Sequence, residues 1–404
     1  MPRNEMPRTE MPCREMSRNE RLAGIAAALI LVIGMGFGRF AFTGLYPLMV
    51  KSGQISVEGG SYAASANYAG YLIGALLLGL VTGAAGRKLC AFSAIATVAA
   101  LAALGLPLPE WLIVVVRGFA GIFSAVAMVA ASHWLIHERG HHDGAPALFA
   151  GVGLGILVSA ELVAAGDLLT LPSPAIWLVL AAAALALTIL TIILQARVDG
   201  APAPTLPHEA DGEASAPFGA GRLVLVYGLA GFGYIITATY LPLLVRTSFA
   251  DLNPLHIWAV FGLGAVPSCF FWHVLHRRLG TAKSLVVNLL LQAVGVGLPV
   301  IHMPAASLAS ALLVGGTFMG TVTIAMPAAR KIAAKARVNI LAVMTASYGV
   351  GQIVGPLVTN ALYRQSQSFD APLLIASAAL FIAATICMKR ATPEKASVFK
   401  VRRT

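Results

Sequence analysis

Twelve apolar runs, each near the roughly 20 residues needed to cross a bilayer core, constrain this chain more than any other feature of it. Their limits are 22–47, 61–83, 89–107, 111–136, 145–168, 174–195, 222–246, 255–277, 284–302, 305–329, 338–363 and 371–389. A segment in lipid has to satisfy its own backbone hydrogen bonds, so runs of this length predict helices. Composition agrees, because 58% hydrophobic and 11% charged residues over 404 positions do not describe a soluble enzyme. The expected fold class is an all-α integral membrane protein, twelve transmembrane helices in two pseudo-symmetric six-helix bundles.

The runs divide as six, a linker and six. Residues 1–21 begin with a degenerate five-residue repeat, MPRNE, MPRTE, MPCRE, MSRNE. With no apolar residue except Met it builds no core and is expected to be a disordered cytoplasmic tail. The run that follows is too long for a signal peptide and lacks a small-residue cleavage site, so it is expected to remain as an anchor. The first bundle is expected at 22–195, a polar linker at 196–221, the second bundle at 222–389 and a second cytoplasmic tail at 390–404.

The net charge of +11 raises nucleic acid as a partner, but the basic residues lie almost wholly in tails and short connections, and no nucleic-acid partner is expected. Connections on the side of both termini hold most of them. The other side has Lys51, Arg246 and Arg364. Positive residues mark the cytoplasmic side, so the chain is expected to be multi-pass with both termini in the cytoplasm. The four cysteines, Cys13, Cys90, Cys269 and Cys387, are scattered and make no disulfide framework or metal site.

The two halves repeat each other. Gly36-Phe37-Gly38 and Pro47-Leu48 recur at an offset of 195 as Gly231-Phe232-Gly233 and Pro242-Leu243, and Gly153-x-Gly155 recurs at 196 as Gly349-x-Gly351. Parallel six-helix repeats place a binding site near mid-bilayer at the seam between them.

Charges inside the runs are the candidates for that site. Arg39 stands alone in GMGFGRFAFTGLYPLM, residues 34–49, where an arginine at a helix centre costs roughly 2.5–3.5 kcal/mol on insertion scales. Counted at about 1.5 Å per residue, Arg39, Asn67, Arg117 and Glu161 fall at one depth, roughly 9–12 Å inside the outer boundary. Two cations against one carboxylate suit an anionic solute held by a bidentate arginine. Glu161 is the expected proton carrier, alternating between an arginine-paired and an unpaired state, with Arg117 as its partner in coupling. The alternative is that Glu161 neutralises an arginine in a static clamp. Thr43 shares a face with Arg39, and Tyr71 with Asn67. In the second half the repeat sets Tyr234 where Arg39 stands, while Tyr348 and Gln352 lie on a polar stripe of the eleventh run. Arg39, Thr43, Asn67, Tyr71, Arg117, Tyr234, Tyr348 and Gln352 are therefore the expected substrate contacts. Closely spaced glycines, as in Gly70-x3-Gly74, are read as helix packing.

The second connection, GLVTGAAGRK with Gly79, Gly86, Arg87 and Lys88, resembles the GxxxDRxGRK signature of the major facilitator superfamily with its Asp and first Arg missing. Its counterpart with Arg277, Arg278 and Gly280 has His276 in place of the Asp. Arg117-x3-Gly121 resembles the RxxxG element of that superfamily's fourth helix, and Gly351-x3-Gly355-Pro356 its antiporter GxxxGP element, which normally lies on the fifth. More narrowly, GFGRFAFTGLYPLM together with SANYAGYLIG, residues 65–74, is similar to the bacterial YbfB/YjiJ-type group of these transporters. The resemblance implies a secondary carrier of the bacterial inner membrane; the expected function is movement of a small organic solute by alternating access, proton-coupled, with export slightly favoured. It implies gating by the two basic loops, a small-molecule substrate, protons and the lipid bilayer as partners, a monomer, and no cofactor. Uptake of an organic acid by proton symport uses the same groups.

A membrane-embedded metal enzyme is the rival class, resting on His133, His137, His141 and His142. The i, i+4 histidines have ligand spacing, but membrane oxygenases need several such clusters, and the next best here is His273-x2-His276. No Walker motif supports a primary pump. The chain is expected not to be an enzyme.

Overall fold

The computed structural model describes residues 18–78, 86–141, 144–198, 219–248, 254–333 and 340–388. The expectations for the tails up to residue 17 and from 389, for most of the linker, for Gly79 and for His142 lie outside the described residues.

The described residues are almost wholly helical, joined by short connections, with no strand among them. The first six helices are α1 (Arg18–Lys51), α2 (Val57–Leu78), α3 (Gly86–Leu104), α4 (Glu110–Glu138), α5 (Ala145–Leu168) and α6 (Ser173–Val198). The seventh, α7, is Ala220–Ser248, and the segment Pro254–Gly297 breaks at Gly280. The break gives α8 at 254–279 and α9 at 281–297. Gly280 has φ of 74° there, in the left-handed region where a side chain would be strained. The last three are α10 (Pro304–Ala333), α11 (Ile340–Ser366) and α12 (Asp370–Met388).

Ten helical segments among the described residues are long and apolar enough to cross a membrane, with Leu255–Ile301 counting once across its break. α2 is not among them, being diluted by Ser61, Ser65, Asn67 and the tyrosines Tyr62, Tyr68 and Tyr71. Those polar residues matter because one side of α2 faces the seam between the halves, while Tyr62, Ile73 and Leu77 lie on its exposed side.

Lipid tails are as apolar as leucine, so membrane helices associate by close packing of small residues more than by hydrophobic drive. α2 and α4 touch backbone to backbone: a methyl group on Gly121 would lie 1.9 Å from the Asn67 carbonyl oxygen. α1 crosses α5 at Gly36 and Gly155, where a methyl on Gly36 would lie 2.3 Å from the Gly155 Cα. The second half repeats that crossing with the repeat's own residues. A methyl on Gly351 would lie 2.4 Å from the Gly228 oxygen and 3.2 Å from the Gly231 carbonyl carbon. The duplicated glycines are thus duplicated contacts.

Two long seams join the halves. α5 meets α8 where a methyl on Gly153 would come within 2.5 Å of the Val266 nitrogen. α2 meets α11, with Ser65 Oγ donating to the Ile353 carbonyl at 3.1 Å. Between these seams α1 meets α7. Thr43 Oγ1 donates to the Ala238 carbonyl at 3.0 Å across a separation of 195 residues, the repeat offset itself. A residue that touches its own repeat equivalent lies beside the internal two-fold axis, so Thr43 marks the centre of the molecule.

Candidate functional site

The site begins with a departure from α-helix. Val32–Phe40 winds as a π-helix inside α1, a form that is rare and frequent at functional sites. The sequence allows it because Gly34, Gly36 and Gly38 bring no side chains to crowd the wider turns. Rewinding leaves carbonyls available, and neighbouring side chains take them. Ser124 Oγ donates to the Gly34 oxygen at 2.6 Å. Arg117 donates from Nη1 to the Gly38 oxygen at 2.8 Å and from Nη2 to the Arg39 oxygen at 3.0 Å. Trp258 Nε1, from α8, reaches the Phe40 oxygen at 3.2 Å.

Arg39 stands one residue before the end of that segment and is 3% exposed. Its guanidinium carbon lies 4.2 Å from the ring centre of Tyr71, 4.9 Å from that of Tyr68 and 5.4 Å from that of Phe40. Such rings attract a cation but offer its N–H groups no ordinary acceptor. Nη2 donates to Gln352 Oε1 at 2.9 Å, while Nε and Nη1 are buried with no hydrogen-bond partner. Among the described residues no carboxylate lies within ion-pair distance of Arg39 or Arg117.

Gln352 carries the contact into the second half. Its Nε2 donates to the hydroxyl of Tyr234, so the residue that the repeat sets opposite Arg39 is joined to it through one amide. Tyr234 stacks with Phe318 at 5.5 Å and with Tyr348 at 5.8 Å, and Tyr348 lies 4.5 Å from Tyr227. The result is one cation from the first half facing a pile of near-parallel rings from the second.

Of the residues singled out in the sequence, Arg39, Tyr71, Tyr234, Tyr348 and Gln352 come together at this place. Thr43 is bonded on the axis nearby. Arg117 is fully buried and its two donated bonds go to backbone, which makes it a clamp on the π-helical segment; Phe42 covers it at 4.4 Å. Asn67 donates to the Arg117 carbonyl at 2.9 Å, inside the α2–α4 contact.

Glu161 does not join the layer expected of it. Its side chain is 53% exposed, and its partner is His256 Nδ1 at 3.8 Å, not either arginine. Counting residues from a helix end fixes depth but not direction: Ile156, Ala160 and Val163 form the packed stripe of α5, while Glu161 follows Leu154 on the open one. The pair still spans the seam between α5 and α8. An arginine–carboxylate ion pair closes the other seam, where Arg364 Nη1 lies 3.3 Å from Glu58 Oε1.

The basic loops sit at the helix ends with the termini. The Gly86 N–H donates to Glu138 Oε1 at 2.6 Å, a carboxylate at the positive end of α3 in a connection whose own signature acid is missing. Arg87, Lys88, Arg277 and Arg278 are exposed, and Gly280 makes the break already described. His133 is 3.3 Å from Glu138, and its ring centre is 5.4 Å from that of His137. Among the described residues no three His, Cys, Asp or Glu side chains gather as a metal site.

Sequence reasoning missed Tyr68, Phe318, Tyr227 and Trp258. Tyr68 was within reach, three positions before Tyr71 and therefore on the same helical surface as the arginine's partner. The other three look like ordinary membrane aromatics, and only the fold brings them to the site.

Two solved structures of similar fold are a nucleoside transporter, NupG, and a bacterial homologue of the human lysosomal transporter Spinster in an inward-facing, unoccupied conformation. NupG is 12% identical, with a TM-score of 0.64 over 91% of this chain and 99% of that one. The Spinster homologue is 12% identical, with a TM-score of 0.65 over 94% of this chain and 100% of that one. No curated protein matches the chain. A family model described as "Uncharacterised MFS-type transporter YbfB" matches residues 31–388. Helical architecture, internal repeat and family match converge, and the chain belongs to the YbfB-type family of major facilitator superfamily transporters.

Proposed function

We propose that this chain is a secondary active transporter that carries a small organic solute across the bacterial inner membrane by alternating access, exchanging it for protons in the direction of export. The observation that carries the reading is Arg39: a buried cation at the seam, with two nitrogens lacking acceptors and no carboxylate to neutralise it among the described residues. Buried donors without partners are costly and are retained where a ligand completes them.

In this account Arg39, Tyr71, Tyr234, Tyr348 and Gln352 contact the solute. Because Arg39 belongs to one half and Gln352 to the other, a ligand that competes for Arg39 loosens a bond across the seam. The cross-half bonds of Ser65, Thr43, Glu58 and Glu161 run from the level of Arg39 toward the face opposite the termini. With the termini cytoplasmic, that is the closed outer side. Glu161 is the proton carrier, with His256 as the partner it holds or releases as the outer seam closes and opens. Arg117 supports coupling through the shape it imposes on α1. The protein works as a monomer and without a cofactor.

The test is a solute panel with the purified full-length protein in liposomes under an imposed pH gradient, reading proton flux in both directions. Solute-dependent proton release opposite to solute movement is the expected result. Movement of both in one direction would make the protein a symporter for uptake, and no solute-dependent flux with any compound would count against transport.

A further inference from the structure

We infer that the solute of the Arg39 site is a small planar organic monocarboxylate, its carboxylate taking a pair of Arg39 N–H groups and its flat body lying against the aromatic pile of the second half. The inference rests on the transporter reading and names its substrate class.

A guanidinium has five N–H groups arranged as two forks, one side-on at Nε and Nη2 and one end-on at Nη1 and Nη2. Gln352 accepts a single bond from Nη2, and Nε and Nη1 have no partner. Whichever Nη2 hydrogen Gln352 takes, one complete fork of two parallel donors is left. A carboxylate matches such a fork with both oxygens. Arg39 is one uncompensated cation, while the Nη groups of Arg117 are committed to the Gly38 and Arg39 carbonyls. What selects a carboxylate is the count of donors: Arg117 keeps its charge but has no fork free, so Arg39 alone offers paired donors, and the third oxygen of a phosphate monoester would meet none of them.

The body of the solute follows from the other wall. Phe318, Tyr234 and Tyr348 lie near parallel, with interplanar angles of 19° and 24° about Tyr234; Phe261 and Tyr227 close the two ends of the pile, so a flat solute meets it along its side, ring edges against a ring face. On the first-half side the neighbours of the guanidinium are again rings, Tyr71, Tyr68 and Phe40. A carboxylate on a short flat body therefore meets charge on one half and aromatic rings on the other. It also bridges the halves where Gln352 bridges them in this structure.

The test measures ligand-induced shifts in melting temperature for the full-length protein in detergent, with benzoate, benzamide, cyclohexanecarboxylate and phenyl phosphate as probes. Benzoate should bind at least about tenfold more tightly than benzamide, which lacks the charge that strengthens a hydrogen bond, and more tightly than the other two. In Arg39→Lys, which keeps the charge but loses the fork, benzoate affinity should fall about tenfold or more. Equal binding of benzamide, or tighter binding of phenyl phosphate, overturns the carboxylate. Equal binding of cyclohexanecarboxylate overturns the planar body. Should the lysine variant fail to fold, the probe series on the unsubstituted protein still decides. Failure of every probe, alongside proton-coupled flux of some neutral or cationic solute in liposomes, would sink this substrate class and leave the transporter reading standing.

Discussion

At the scale of single residues, two buried arginines with similar sequence signals have different tasks. Both lie in apolar runs, and both are cations that a bilayer penalises. Arg117 donates two charge-assisted bonds to the Gly38 and Arg39 carbonyls. Arg117→Ala removes both and leaves the carbonyls unpaired, a loss of about 3 kcal/mol on the usual value for bonds to charged groups. A lower melting temperature of the purified protein, with Arg117→Lys intermediate, is the outcome to look for; a variant as stable as the parent would contradict the clamp. Arg39 should behave differently. Arg39→Gln removes a charge that no carboxylate balances, so stability should change by less than in Arg117→Ala while solute binding is lost, read as melting temperature against ligand-induced shift in the same samples. Glutamine at 39 that melts lower than alanine at 117 would assign Arg39 to structure. The sequence exposed both arginines at once but not this division, since the direction of a side chain around its helix is set by packing.

At the scale of elements, the π-helical stretch Val32–Phe40 is the least ordinary part of the fold. Its glycines are visible in the sequence, where Gly36 and Gly38 mark the internal repeat. Gly36 crosses Gly155, as its repeat equivalent crosses Gly351, but nothing in the repeat signalled the change of helical pitch. Nothing in a single sequence separates a glycine kept for contact from one kept for winding. Gly36→Ala drives a methyl into the α5 backbone at 2.3 Å and should cost about 1–3 kcal/mol, as overpacking does. The repeat supplies the comparison: Gly231→Ala meets the Tyr348 oxygen at 2.6 Å and should destabilise similarly, while also disturbing the aromatic pile. Melting curves of the two variants check this, and an alanine at 36 with parental stability would argue against the close crossing. α2 holds the opposite lesson. Its polar residues make it the weakest membrane helix by composition, and four of them, Ser61, Ser65, Asn67 and Tyr68, are the ones that meet α4, α7 and α11.

At the scale of the whole molecule, most of the architecture was legible. Run lengths gave the helices to within a few residues, and the offset of 195 reappears as the Thr43–Ala238 bond on the axis. What could not be read was azimuth. Glu161 was assigned its depth by counting and then turned out to face His256 across the α5–α8 seam, opposite in position to the Glu58–Arg364 pair on the α2–α11 seam. If both pairs hold the same side of the transporter closed, Glu161→Gln and Glu58→Gln should each speed opening there, which a cysteine-accessibility rate at the seam would report. Glu161→Gln alone should also abolish the dependence of transport on the proton gradient. Normal proton dependence in that variant would remove Glu161 from the coupling mechanism.

The central claim is that Arg39 is the point at which a transported solute meets both halves. Solute-driven proton flux in liposomes, compared between the unsubstituted protein and Arg39→Lys at equal insertion, tests it most directly. The lysine protein should need about tenfold or more solute for half-maximal flux, because one ammonium cannot reproduce the guanidinium fork. An unchanged solute dependence would contradict it.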